Sequence, residues 1–449
     1  MKKQVKKQLL ELVQLLAEAH EAIYENLNNK EITIAAECLA ECQNTAIFIG
    51  EKIDEAEGNG TESVKLLESY CELVYETYNK AVQGIVDDSA EVYHKLQEIY
   101  SSIYYSIEHN IPEVKEIVFL PYKASMWDSL ESVWKKFSED KSADVKVVPI
   151  PYYDKNADGT FGQMHYEGDC FPESVEITHY NDYDFENNHP DEIYIHNPYD
   201  DANVVTSVHP FFYSKNIKKY TDKLVYIPYF VIDEFDLNNE ISVAKRRHFA
   251  QVPAVIHADE VIVQSENMRK FYIDSMVVLA GEEKREYFEN KIKGYGSPKI
   301  EKIKSMTIDD IEIPEEWNKY LYRDDGTKKK VILYNNSIST FLRKSEYMFN
   351  KMENVFEYFK TIKEEVALLW RPHPLMEATI ASTNPQMLEE YKKIVEMYKK
   401  DEVGIYDDTS DMSRAIILAD AYYGDPSSLV TLCKAISMPV MLQNPHVIL

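Results

Sequence analysis

The sequence holds little from which a metal centre or a disulfide frame is built. Its 449 residues include five cysteines (Cys38, Cys42, Cys71, Cys170 and Cys433), odd in number, scattered and without a Cys-x-x-Cys pair. That excludes a zinc knuckle and a disulfide scaffold and fits a reducing compartment. Cations are scarce: 49 Lys and Arg stand against 77 Asp and Glu, a formal charge of −28. A field of that sign repels phosphate backbones, so no nucleic-acid partner is expected, while a local basic pocket for one nucleotide stays open. No apolar run approaches the length of a membrane span. The opening Met1-Lys2-Lys3-Gln4 leads into an apolar stretch that Glu11 and Gln14 interrupt, a poor signal-peptide core. A cytoplasmic location is the expectation. Lys2, Lys3, Lys6 and Lys7 beside Leu9, Leu10 and Val13 offer either a peripheral contact to the inner face of an anionic membrane or a solvated helix start. No cofactor and no metal are expected.

What is present is enough apolar residue, 45% of the total, for two or three cores. Residues 1–112 carry apolar positions at helical spacing: Leu9, Leu12, Val13, Leu16, then Leu66, Tyr70, Leu73, Val74, Tyr78, then Leu96, Ile99, Tyr100, Ile103. Breakers near Asn28-Asn29-Lys30 and Gly58-Asn59-Gly60, and a restart at Asp87-Asp88-Ser89, predict a four-helix antiparallel bundle. It lacks a phosphate loop or nucleophile and is free to recruit a protein partner. From 113 the texture becomes α/β. Apolar runs at 116–121, 145–150, 192–195, 224–227 and 260–263 read as strands with helical stretches between them. A polar stretch, 303–327, reads as the linker, and a second alternation starts at Val331. The predicted fold is an α/β chain of two Rossmann-like domains of GT-B type, 113–310 on the acceptor side and 311–449 on the nucleotide donor side, preceded by the bundle.

The strongest chemistry lies in the second unit. A predicted strand at 366–370 runs into Arg371-Pro372-His373-Pro374. Arginine offers a planar fork to phosphate, and histidine a proton or a hydrogen bond. The alternative is an Arg371 paired with a carboxylate and a packed His373. Ala421-Tyr422-Tyr423 then feeds Gly424-Asp425-Pro426-Ser427-Ser428. Asp425 reads as an N-cap and Pro426 as the first helical residue, so that Ser427 and Ser428 stand at a helix N-terminus, an anion site. Between these segments, Asp407-Asp408-Thr409-Ser410-Asp411 caps the next helix and offers Asp408 to a donor hydroxyl. In the first unit, Lys123, Trp127 and Asp128 follow the first strand without a glycine-rich fingerprint and are candidates to grip an acceptor; a buried Trp127 and a capping Asp128 are the alternative. His196 and His209 are candidates for the base that deprotonates the acceptor, beside His373. Asp154 to Thr160 imitates an EF-hand loop, but its twelfth position is His165 rather than Glu, and a β-turn at Asp158-Gly159 is predicted.

At these residues the second unit resembles the nucleotide half of the CDP-glycerol glycerophosphotransferases that build teichoic-acid-type polymers. The matching pieces are Lys330 to Tyr334, Arg371-Pro372-His373-Pro374 and Ala419 to Ser428. Ala258 to Ser265 and Gly296-Ser297-Pro298-Lys299 look like the end of such a first domain. The resemblance implies a GT-B fold with Arg371, His373, Ser427 and Ser428 around the donor's phosphates. It also implies transfer of glycerol phosphate to a polyol or glycan hydroxyl with CMP leaving. The sequence departs from the pattern twice. The His-Gly-Thr-Pro segment that supplies the family's base is absent, with Tyr226-Ile227-Pro228-Tyr229-Phe230 in the comparable stretch, and the serine pair follows Asp425-Pro426 rather than Asp-Tyr. A nucleotide-sugar glycosyltransferase or epimerase using a UDP-sugar on the same fold, and a non-catalytic scaffold, stand beside the first reading.

Overall fold

The computed structural model describes residues 1–444 except 86, 87, 157, 204, 374, 375 and 410, and leaves aside the side chains of 339, 342–346, 378, 382 and 383. Asp87, Ala157, Pro374 and Ser410 of the sequence reading therefore lie outside the described residues.

The chain opens with α1 (Lys3–Asn28), α2 (Ile32–Glu57), α3 (Glu62–Val82) and α4 (Ser89–Asn110). Their apolar stripes close on one core, with Leu9, Val13, Leu16 and Ile23 of α1 against Leu39, Ile49, Leu67, Val74, Leu96 and Ile103. Helix starts are fixed by caps: Thr61 accepts the amide of Val64, and Asp88 that of Ala90.

Fourteen strands follow among the described residues. They are β1 (Lys115–Leu120), β2 (Ala143–Val147), β3 (Tyr152–Lys155), β4 (Phe161–His165), β5 (Glu192–Ile195), β6 (Thr206–Val208), β7 (Lys223–Tyr226), β8 (Glu260–Ile262), β9 (Ile292–Lys293), β10 (Lys330–Asn336), β11 (Val366–Pro372), β12 (Ile405–Tyr406), β13 (Ala421–Gly424) and β14 (Val440–Leu442). A parallel sheet runs β2-β1-β5-β7-β8-β9 and a second runs β12-β11-β10-β13-β14. The α/β expectation of two Rossmann-like units after a helical bundle holds. Each sheet reverses its strand order at its first strand, β1 or β10, and the crevice beyond the carboxyl ends at such a reversal is where ligands bind in open parallel sheets.

Two features differ from the sequence reading. Strands β4-β3-β6 form a small antiparallel sheet that apolar periodicity does not reveal, because β4 is exposed on both faces until its last residue. Its hairpin turn is the one predicted, with Thr160 donating to Asp158 and Gly159 at φ +82°. The segment read as a linker folds into short turns at Ile308–Asp310, Glu315–Trp317 and Asn318–Leu321, and Trp317 and Leu321 pack into the second core.

The amino-terminal lysines meet the first sheet, a role that neither reading gave them. Along the sheet's amino edge Lys115, Glu192, Lys223 and Glu260 alternate in sign, with successive contacts of 2.7, 3.8 and 3.1 Å. Lys2 extends this row to Glu116 (2.7 Å) and Asp144 (3.3 Å), and Lys3 reaches Asp222 at 2.6 Å. Lys6 is buried and donates to the carbonyls of Glu108 and Ile111. These side chains fasten the bundle behind the first sheet, away from the strands' carboxyl ends; Lys7 alone of the four is both exposed and outside this row. Among the described residues no helix is long and apolar enough to cross a membrane.

The two α/β units are joined by the helix Pro298–Ser305 and the segment 231–235. Ile303 and Val231 sit in the second unit's core, Lys302 pairs with Glu131 of the first unit, and Asp233 pairs with Lys434 of the second.

Candidate functional site

The reversal of the second sheet brings together Asn335-Asn336-Ser337, at the end of β10, and Gly424-Asp425-Pro426-Ser427, at the end of β13. The strands approach closely: the Asp425 amide donates to the Asn335 carbonyl at 3.0 Å, and a Cβ on Gly424 would fall 2.2 Å from that oxygen. Only glycine fits there. Asp425 is fully buried. Its Oδ2 accepts the Ser337 amide and its Oδ1 the Gln443 side-chain amide, each at 2.7 Å. Burial pushes its carboxyl above the ordinary range, opposed by the Gln443 and Ser337 hydrogen bonds.

That geometry corrects the predicted N-cap. The helix is Ser428–Ala435 with Ser427 as N-cap, while Asp425 turns the other way and ties the β13 loop to the β10 loop. Its carboxylate therefore does not compete for the helix's first amides. Ser427 is half-buried and donates to Asn335 Oδ1 at 3.3 Å, and Ser428 is exposed. Across the crevice a second helix, Ile338–Thr361, starts from Ser337, whose hydroxyl accepts the Thr340 amide at 3.2 Å. Two helix N-termini thus open on one crevice, each with the positive end of its dipole and amides that no preceding turn satisfies. Beneath them a buried chain runs from Trp370 Nε1 to Asn336 Oδ1 (2.9 Å), from Asn336 Nδ2 to Tyr334 Oη (3.0 Å), and from Tyr334 Oη to Gln443 Oε1 (3.1 Å). Asn335, Ser337, Thr340 and Gln443 were missed by the sequence reading. Asn335-Asn336-Ser337 did carry a signal, a polar run between an apolar strand and a long helix; Gln443 carried none.

Arg371, the last but one residue of β11, is buried. Its Nη1 bonds Asp407 Oδ2 at 2.5 Å and its Nη2 donates to the Thr409 carbonyl at 2.6 Å. Asp407 is buried too and also accepts from Thr409 and from Arg414. The fork predicted for phosphate is thus committed to joining β11 to the β12 loop. His373 is exposed, and its imidazole is held below its ordinary value by desolvation and by the Arg371 charge. Asp408 is exposed nearby, and Asp411 caps the helix Met412–Leu418 as predicted.

The first unit's candidates fare differently. His196 follows β5 and is fully buried. Its Nε2 accepts the Tyr122 amide at 3.1 Å, and its Nδ1 lies 2.9 Å from Ser129 Oγ, whose proton goes to the Met126 carbonyl. The hydrogen-bond pattern assigns the ring proton to Nδ1. Burial pulls the pKa down to about 3. With both nitrogens engaged and no access, His196 is a structural histidine, which corrects its expected role as base. His209 is exposed but caps the turn Pro210–Phe212 by accepting the Phe211 amide. Trp127 is a core residue packed on Phe119, Trp134 and Phe171, a correction to its acceptor role. Asp128 neither caps a helix nor lies open; it pairs with Lys299 at 3.3 Å. Lys123 is half-buried, with its ammonium 4.7 Å from the Tyr152 ring centre and 5.7 Å from that of Tyr122. Burial lowers its pKa.

No family model and no curated protein matches the sequence. Among solved structures, the chain is similar to Staphylococcus aureus MnaA with UDP (13% identity over 73% of this chain and 79% of that one, TM-score 0.44). It is similar to the UDP-GlcNAc 2-epimerase of Methanocaldococcus jannaschii with UDP-GlcNAc and UDP (11%, 73% and 83%, TM-score 0.43). It is also similar to a variant of the wall teichoic acid polymerase TagF (12%, 83% and 78%, TM-score 0.39). At these scores the likeness says nothing of activity or substrate.

Proposed function

We propose that the chain is a transferase that holds a nucleoside-diphosphate donor at the crevice between β10 and β13 and passes its phosphate-linked or glycosyl group to a hydroxyl acceptor. One observation carries this reading: two helix N-termini converge at the strand-order reversal, and Asp425, bonded to the Ser337 amide at the start of one, leaves the first amides of the helix Ser428–Ala435 to an anion. Such an arrangement stabilises a diphosphate through backbone amides and the positive ends of two helix dipoles. The resemblance to CDP-glycerol glycerophosphotransferases makes a CDP-activated alcohol the first donor to test, with polymer synthesis at a bacterial surface as the context. Arg371 contributes by tying together the two loops that carry His373 and Asp408, and its charge adds to the field at the strand ends.

The test is a thermal-shift and calorimetric panel of CDP-glycerol, CDP-ribitol, CDP-choline, UDP-sugars and CMP, repeated with Ser427→Asp. Aspartate is a good N-cap, so the helix is kept while an anion is repelled. At least about tenfold weaker binding is expected, equivalent to ~1.4 kcal/mol. Full affinity in that variant, or no binding by any nucleotide, refutes the site. A second reading, a nucleotide-binding scaffold without turnover, is favoured by the sealed His196; release of CMP or UDP from a bound donor excludes it.

A further inference from the structure

Transfer to a hydroxyl needs a group that takes the acceptor's proton, so a base assigned in this chain rests on the transferase reading. The β3–β4 hairpin pairs His165 with Tyr152, and Asp154 lies two residues further along the same face. His165 Nε2 is 2.8 Å from Asp154 Oδ2, and the half-buried ring stacks on Tyr152 with centres 5.0 Å apart and planes at 21°. An exposed cross-strand pair alone is of little consequence. This one is anchored on the loop leaving the carboxyl end of β1. Tyr152 donates to Glu167 Oε1 at 2.7 Å, Glu167 Oε2 accepts the Ala124 amide at 2.8 Å, and the Lys123 ammonium lies against the Tyr152 ring. Tyr152 also meets Tyr122, and Tyr122 meets Tyr229, whose carbonyl accepts from Lys299 of the helix that joins the two units. The pair therefore belongs to the carboxyl side of the first sheet, toward the second unit.

We propose that His165 is the general base of the transfer and that Asp154 is the residue that positions it. Asp154 Oδ2 accepts a hydrogen bond from Nε2–H and leaves the Nδ1 lone pair for substrate; no described residue bonds Nδ1. The acceptor hydroxyl gives its proton to Nδ1 as its oxygen bonds to the donor's distal phosphorus. The bond from that phosphorus to the bridging oxygen breaks, and its electron pair leaves with the nucleoside monophosphate. The charged and titratable groups around the ring are Asp154, Tyr152 and, beyond that ring, Lys123 and Glu167.

The experiment compares wild type with His165→Gln, Asp154→Asn and Asp154→Glu in the full chain. It measures donor affinity by calorimetry, and CMP release from CDP-glycerol with glycerol and glycerol phosphate as acceptor probes. His165→Gln is expected to keep donor affinity and lose roughly 10²–10⁴ in turnover. Asp154→Asn is expected to keep donor affinity and lose turnover, because the acceptor that fixes the ring's tautomer and orientation is gone, and Asp154→Glu to restore turnover. Wild-type turnover in His165→Gln with donor still bound overturns this inference and leaves the proposed function standing. Equal losses of affinity and turnover assign His165 a structural role and overturn it too. Absence of any donor binding or release in wild type removes the proposed function and this base together.

Discussion

Replacing Asp425 by alanine removes the acceptor for two hydrogen bonds, from the Ser337 amide and from Gln443, both at 2.7 Å and both buried. Hydrogen bonds to a charged group contribute roughly 1.5–3 kcal/mol each. The lower end applies, because the carboxyl's raised pKa means that burial penalises its ionised form. A loss of about 3 kcal/mol follows for the pair, with the Ser337 amide left unsatisfied. For a unit of this size each kcal/mol moves the melting point by ~2–4 °C, so calorimetry is expected to record a second-unit transition lowered by roughly 6–12 °C. Asp425→Asn keeps the shape and one acceptor and loses less. Its pH dependence has a definite sign. A folded-state pKa above the unfolded value of about 3.9 means that the folded chain binds more protons between the two values. Wild type therefore gains stability relative to Asp425→Asn as pH falls through that window. A transition of Asp425→Ala within about 2 °C of wild type refutes the view that this carboxylate holds the two helix starts together.

Two other buried groups lead to measurable outcomes. Arg371→Ala strands the Asp407 carboxylate beside the more distant Arg414, and about 3–5 kcal/mol of second-unit stability is expected to be lost in denaturant titration; a loss below ~1 kcal/mol contradicts the pairing. His196 is held neutral with a pKa near 3 against 6.5 unfolded, so stability is full above the unfolded value and falls by up to about 1.4 kcal/mol per pH unit as pH drops from 6.5 toward 3. His196→Gln is expected to flatten that slope in acid unfolding curves, and an unchanged slope contradicts the buried neutral ring.

Much of this fold is written in residue periodicity. The stripes of α1 to α4 and the apolar runs of β1, β5, β7, β8, β10, β11 and β13 each bury a continuous face, and burial is what the pattern reports. Strands β3 and β4 escape because Asp154, Lys155 and Gly162 interrupt any alternation, and Leu321 escapes because one helical turn is too short to show a period. Site residues were legible by segment and not by direction. Strand-end position alone does not say whether a side chain faces the crevice or the core, which is why His196 and Trp127 read as functional and are sealed. Asp425 reads as a cap because Pro426 follows it as a suited first helical residue, yet the close approach of β10 offers it the Ser337 amide instead. That contact spans 88 residues of sequence, beyond the reach of any local motif.

Amide hydrogen exchange tests the donor site most directly, run with and without saturating CDP-glycerol and with whichever nucleotide binds most tightly in the panel. Protection is predicted at 335–340 and 424–430, the two helix starts and the strand ends that lead to them. A bound nucleotide that protects only the first unit, or leaves both segments exchanging as in the free chain, contradicts the donor site.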